Sequence, residues 1–320
     1  MKPSKSMRTN TVKIEEPCHD DQRDESQEVS TYLVIPYFNG DRGRPSIERP
    51  LGSSVVSWLC PSIIVNGQPG KNAFQRGVPT SVTVDVANWG AGTLAAPVQV
   101  QVWWADPSTG FTTKTLLGQS VVAVPTGGSV RRCPPIVGII PTSAPPHVCL
   151  LAYVSSPLDT APAGTPINPT NDRRWAQFNL AEIVTNVGLK FQFMTWAGNP
   201  LRRAATFNIA VRPVSREALP ALHRLRRAET VRADRMSIQL FERRRAEEDL
   251  EQNREPVAHR EVTIESGARR AIHIVGELPP DLEPGSSVAL EIVQSSADEN
   301  GGARMHGALG LIVTASTRDE

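Results

Sequence analysis

The sequence predicts an all-β protein: two immunoglobulin-like β-sandwich domains in tandem, with a disordered N-terminal arm and a short helical, charged insertion in the second domain. Three observations predict it. Aromatics make up 5 % of the chain while 27 Pro and 23 Gly punctuate its 320 residues, a balance that favours many turns over long helices. Apolar residues in the first half alternate with period two in short runs. Gly, Pro and Asn clusters separate those runs at about the 8–12-residue spacing of a β-sandwich. The length suits two domains at roughly 100–200 residues each.

Residues 1–30 are polar and densely charged, too poor in apolar side chains to fold alone, and are expected to form the disordered arm. They lack the apolar stretch of a secretory signal, and no run approaches the ~18 apolar residues of a membrane span. The expectation is a protein that inserts in no membrane and is either intracellular or exported by a signal-independent route. "TYLVIPYF" follows, a lead-in or an edge strand confined by Pro36. "VVSWLCPSIIV" has strand composition, with Pro61 as a break or bulge. "TSVTVDVANWG" sets Val82, Val84 and Val86 against Thr83, Asp85 and Ala87. "APVQVQVWWADPSTG" does the same, with Val98, Val100, Val102 and Trp104 on one face and Gln99, Gln101 and Trp103 on the other. "KTLLGQSVVAVPTGGS", "RRCPPIVGIIP", "HVCLLAYVSSP" and "RRWAQFNLAEIV" complete the first domain, residues 31–183.

The second domain, residues 184–320, opens with "VGLKFQFMTW" and "RAATFNIAVRPV" and adds five further strand-like runs, from "RMSIQLFER" to "HGALGLIVTAS". Its charged insertion spans about 215–258. There Leu219, Leu222 and Leu225 stand at helical spacing, and Pro220 is expected to break the pattern. The join lacks a Gly/Ser linker, which implies a fairly fixed angle between the domains.

The run from about residue 55 to 184 resembles the CARDB-like immunoglobulin-like domains, a group named for bacterial cell adhesion. The resemblance is carried by "GVPTSVTVDVANWGAGTLAAPVQVQVWWADPSTG" with its Asn88–Gly90–Gly92 turn, by "HVCLLAYVSSP", and by "NPTNDRRWAQFNL". It covers roughly 130 of the 320 residues. It implies adhesion, protein or glycan binding and spacing, with no catalytic residues to carry over.

The function classes narrow accordingly. With 34 Lys+Arg against 33 Asp+Glu, no global field points to nucleic acid. Arg doublets and the triplet at 243–245 sit among equal acid and read as solvated faces. Arg224, Arg226, Arg227 and Arg232 are the set left for a protein or polyanion contact. Cys18, Cys60, Cys133 and Cys149 form no CxxC pair and are expected reduced, with Cys149 in the core. The six His are scattered, and no GxSxG, dinucleotide or phosphate-loop pattern occurs.

Two hypotheses remain. The favoured one is a non-catalytic binding or structural module that presents loops and sheet edges to a protein or glycan partner, or to copies of itself. Its binding candidates are Trp103, placed outward in a row of Gln, and an Arg173–Trp175 pair on the polar face of the last strand. Trp103 is equally open to coverage by the N-terminal segment or the second domain. The alternative is an accessory or targeting subunit of a hydrolase system, with loop residues Asp106, Asp159 and Asp172 as weak calcium candidates.

Overall fold

A computed structural model describes residues 29–71, 73–186, 190–226, 230, 236–242, 258–297 and 302–316. The predicted arm falls almost entirely outside these residues, as do Arg227, Arg232 and the Arg triplet of the insertion.

The first sandwich contains β1 (Leu33–Val34), β2 (Ile63–Val65), β3 (Gln68–Pro69), β4 (Pro79–Asn88), β5 (Ala96–Ala105), β6 (Thr115–Val124), β7 (Ser129–Arg132), β8 (Ile136–Ile139), β9 (Cys149–Ser155) and β10 (Trp175–Phe178). One sheet is built on β4. Strands β1 and β2 line one of its edges, and β7 and β8, interrupted at Cys133–Pro135, line the other. The second sheet runs β10-β9-β5-β6, antiparallel throughout. The period-two sets do what the sequence predicts: Val82, Val84 and Val86 meet Val98, Val100 and Val102 in the core, all fully buried.

The second sandwich contains β11 (Leu180–Thr185), β12 (Lys190–Gly198), β13 (Ala205–Pro213), α1 (Leu219–Arg226), β14 (Ser237–Phe241), β15 (Ala258–Ile264), β16 (Arg269–Glu277), β17 (Ser287–Ala297) and β18 (Ala303–Ala315). Its sheets are β11-β18-β17-β13-β15 and β12-β16-β14. All pairs are antiparallel except β11 with β18. Phe191, Phe207, Ile209, Ile272, Ile274, Leu290 and Leu311 fill the space between them.

The expected single strand "RRWAQFNLAEIV" is two strands. It splits at Asn179, so the chain changes sandwich earlier than the 183/184 join the sequence suggested. The cause is tertiary. The Asn179 amide donates to Ser108 O (2.7 Å) in the first sandwich and to Ala308 O (2.9 Å) in the second. Its backbone N donates to Trp58 O, and its carbonyl accepts from Gly310 N. Four hydrogen bonds through the side-chain amide nitrogen, the backbone N and the backbone carbonyl thus tie this one buried residue to both sandwiches.

Pro220 does not break the insertion's helix. Pro220 lies in the first turn of α1, where no intrahelical N–H is required, and the turn over 216–218 that leads into the helix is capped by Ser215, whose Oγ accepts from Ala218 N at 3.1 Å. The helix is docked, not solvated: Leu222 is fully buried in the large core cluster that runs from the first sandwich to Ala289, Val293, Ala308 and Ile312 of the second. Gly70 lies so close to the helix end that a Cβ there would sit 2.1 Å from Leu225 O.

Candidate binding face

The β-register places the outward side chains of the β10-β9-β5-β6 sheet. Trp175 stands opposite Tyr153, and Tyr153 opposite Gln101. Trp103 lies diagonal to that row. The three rings gather into one cluster, with centroids 4.6 Å apart for Tyr153–Trp175, 5.4 Å for Trp103–Trp175 and 6.5 Å for Trp103–Tyr153. Beneath them Ala105, Phe111, Cys149, Leu151 and Ile167 form a second small core, separate from the main one. Aromatic pairs in contact add about 0.5–1.5 kcal/mol each beyond their burial, which holds the three tilted rings together as a platform.

Lys114, in the β5–β6 connection, lies over this platform. Its Nζ is 3.7 Å from the Trp103 ring centroid and 4.7 Å from that of Trp175. Burial against the rings lowers its pKa, and no carboxylate contributes to raise it. Next to the rings, Gln119 Oε1 accepts from Gln99 Nε2 (3.1 Å) and Gln101 Nε2 (3.4 Å), an amide row along the open sheet face. Leu116 and Val121 of β6 are exposed beside it.

Trp103 occupies the outer face, as its Gln neighbours predict, and is half-buried. Trp104 packs on the main core, also as expected. Trp175 is on the outer face too but only 6 % exposed, because Tyr153 and Lys114 reach over it from other strands; it is a supporting ring, not a free docking residue. The expected Arg173–Trp175 pair is corrected. Arg173 stacks on Tyr32, its guanidinium 3.6 Å from that ring, and pairs bidentately with Asp159 at 2.7 and 3.1 Å. Asp159 also accepts from Leu33 N at 2.6 Å, so Arg173 and Asp159 fasten the N-terminal lead-in to the sandwich.

The calcium reading is corrected as well. Asp106 pairs with Arg269 at 2.6 Å across the inter-sandwich contact. Asp172 is held by Arg174 at 3.0 Å, and Arg174 also reaches Asp159 at 3.5 Å. Each carboxylate is paired with a guanidinium, through both oxygens in Asp159 and Asp172 and through Oδ2 in Asp106, which offsets the charge a cation would need. Among the described residues no three His, Cys, Asp or Glu group in a way that could hold a metal ion.

Sequence reasoning missed Tyr153 and Lys114. Tyr153 shares the period-two set of Cys149 and Leu151, opposite to Leu150, Ala152 and Val154. Lys114 is the sole Lys between residues 72 and 189, and it follows the Trp pair within one connection. Those two signals were present.

No helix among the described residues is long and apolar enough to cross a membrane. No family model matches the chain, and no curated protein matches it. Among solved structures it is similar to a family 123 glycoside hydrolase from Clostridium perfringens at 9 % identity and a TM-score of 0.23. That match covers 43 % of this chain and 23 % of the hydrolase. It is similar also to the collagen adhesin of S. aureus at 8 % identity and a TM-score of 0.23, covering 79 % of this chain and 91 % of the adhesin. The chain thus spans under a quarter of the hydrolase's length, and the assignment of an all-β sandwich architecture rests on the strand order and pairing described above.

Proposed function

We propose that the protein is a non-catalytic binding and spacing module, CARDB-like in its first sandwich, that presents the outer face of the β10-β9-β5-β6 sheet to a glycan or protein partner. One observation carries this reading: a platform of Trp103, Tyr153 and Trp175 beside an open row of Gln amides. Aromatic faces stack on the apolar face of a sugar or on a partner's side chains, and amides supply hydrogen bonds in both directions. The carboxylates a hydrolase would converge on a substrate, Asp106, Asp159 and Asp172, are instead spent on arginines. An adhesion- or assembly-like role fits two sandwiches fixed to each other and an exposed face on one of them.

A glycan array combined with light scattering of the full chain tests the proposal. Retention of a glycan, or self-association, is expected for the wild type and is lost in Trp103→Ala, whose melting temperature falls by only a few degrees. Binding untouched by Trp103→Ala would move the site elsewhere.

A further inference from the structure

Three arginines around this face have acidic partners: Arg173 and Arg174 hold Asp159 and Asp172, and Arg269 holds Asp106. Lys114 has none among the described residues. Its ammonium rests on two indole rings, exposed on its outer side and dehydrated on its inner side. An exposed cation–π contact of this kind is weak, so the side chain is displaced from the ring at small cost. The strand residues around it are neutral: Gln99, Gln101, Trp103, Leu116, Gln119 and Val121. An approaching anion therefore meets one unspent positive charge and no competing negative one.

We infer that this end of the sheet is a subsite for a carboxylated sugar, whose ring stacks on Trp103 while its carboxylate takes the Lys114 ammonium. The inference rests on the glycan-binding reading above and adds the charge of the ligand. A neutral sugar would have to displace Lys114 from Trp103 and leave its ammonium without a new partner. A carboxylated one gives the ammonium a charge-assisted hydrogen bond in exchange. A cationic ligand would meet the Lys114 charge at close range with no carboxylate to offset it. The lowered Lys114 pKa is consistent with a site already partly dehydrated, and it makes binding weaken at a lower alkaline pH than a free lysine would set.

The test uses the full chain, with calorimetry on glucuronate and galacturonate disaccharides beside their methyl esters and tetramethylammonium. The wild type should bind the acids about tenfold more tightly than the esters, with the difference shrinking at high salt. Lys114→Met should remove the preference, so that acids and esters bind that variant alike at an unchanged melting temperature, and Lys114→Arg should retain the preference. Acids and esters binding alike, or neutral glycans binding on the array while both uronates fail, would overturn the acidic subsite and leave glycan binding standing. Tetramethylammonium competing at the site would overturn it in favour of a cation cage. A chain that retains no glycan of any charge overturns both readings.

Discussion

At the scale of single residues, the ionisable groups that matter are those removed from water. Asp41 and Arg49 are an almost completely buried pair at 2.9 Å, and Asp41 also accepts from Tyr37 N and Gly43 N. Breaking such a pair costs more than forming it gains, so it fixes the lead-in's conformation more than it adds stability. Cys60 is pushed up to about 12 by burial and donates to Pro36 O, which leaves it an inert thiol at neutral pH. His306 is 2 % exposed, edge-on to Phe207, with Nε2 2.8 Å from Ser296 Oγ. Burial, helped by the Arg304 charge, lowers its pKa to about 4. An unfolded histidine titrates near 6.5, so between about 6.5 and 4 the unfolded chain binds the extra proton and the folded one does not. Stability therefore falls as pH drops through that window and levels off below it. At pH 5 the loss from this group is about 2 kcal/mol. Urea denaturation at pH 7.5 and pH 5 should show a smaller acid loss in His306→Gln than in the wild type; equal losses would mean that the folded protein accommodates the protonated ring. None of this was legible in the sequence, where His306 stands among glycines and its burial depends on Phe207 and Ser296 arriving from two other strands.

At the scale of elements, alternation was the readable signal and tertiary demand the unreadable one. Strands β4 and β5 display their period-two pattern openly, and the structure places those residues as the pattern requires. The break between β10 and β11 has no Gly or Pro to announce it, because it is set by bonds Asn179 makes to Ser108 and Ala308, distant in sequence. Trp175 likewise alternates onto the polar side, and its burial comes from Tyr153 and Lys114, which a strand pattern cannot locate. Helix α1 shows the same limit. Its leucine spacing was visible but its docking was not: Leu222 enters the core cluster that the first sandwich shares with Ala289, Val293, Ala308 and Ile312 of the second, and Ser215 Oγ donates to Ser53 O at 2.7 Å. Leu222→Ala should cost about 2–4 kcal/mol, measured as a shift in the urea midpoint of the full chain. A change under about 0.5 kcal/mol would mean that the helix rests on the surface.

At the scale of the whole molecule, the sequence anticipated a stiff join, and the contacts show how the sandwiches are held. Gly110 and Gly198 bring two backbones together where any Cβ would collide, Thr109 Oγ1 donates to Gln294 Oε1 at 2.9 Å, and Gln294 Nε2 donates to Gly198 O at 2.7 Å. Asn168 and Asn171 both donate to Met305 O, and Trp58 packs on Gly310. Asn168 and Asn171 thus secure one sandwich to the other. Calorimetry should show a single unfolding transition for the wild type. Asn179→Ala, which leaves Ser108 O and Ala308 O without their donor, should lower it by several degrees or split it in two. A split already present in the wild type would show that the sandwiches melt independently. The parallel pairing of β11 with β18 carries a mechanical consequence. β11 leaves the first sandwich at Leu180, opposite Gly310, and its far end, Thr185, lies opposite Ala315. A pull applied between the first sandwich and the Ala315 end of β18 grips the two strands at opposite ends. The ladder is then loaded in shear, and its hydrogen bonds share the force instead of opening one after another.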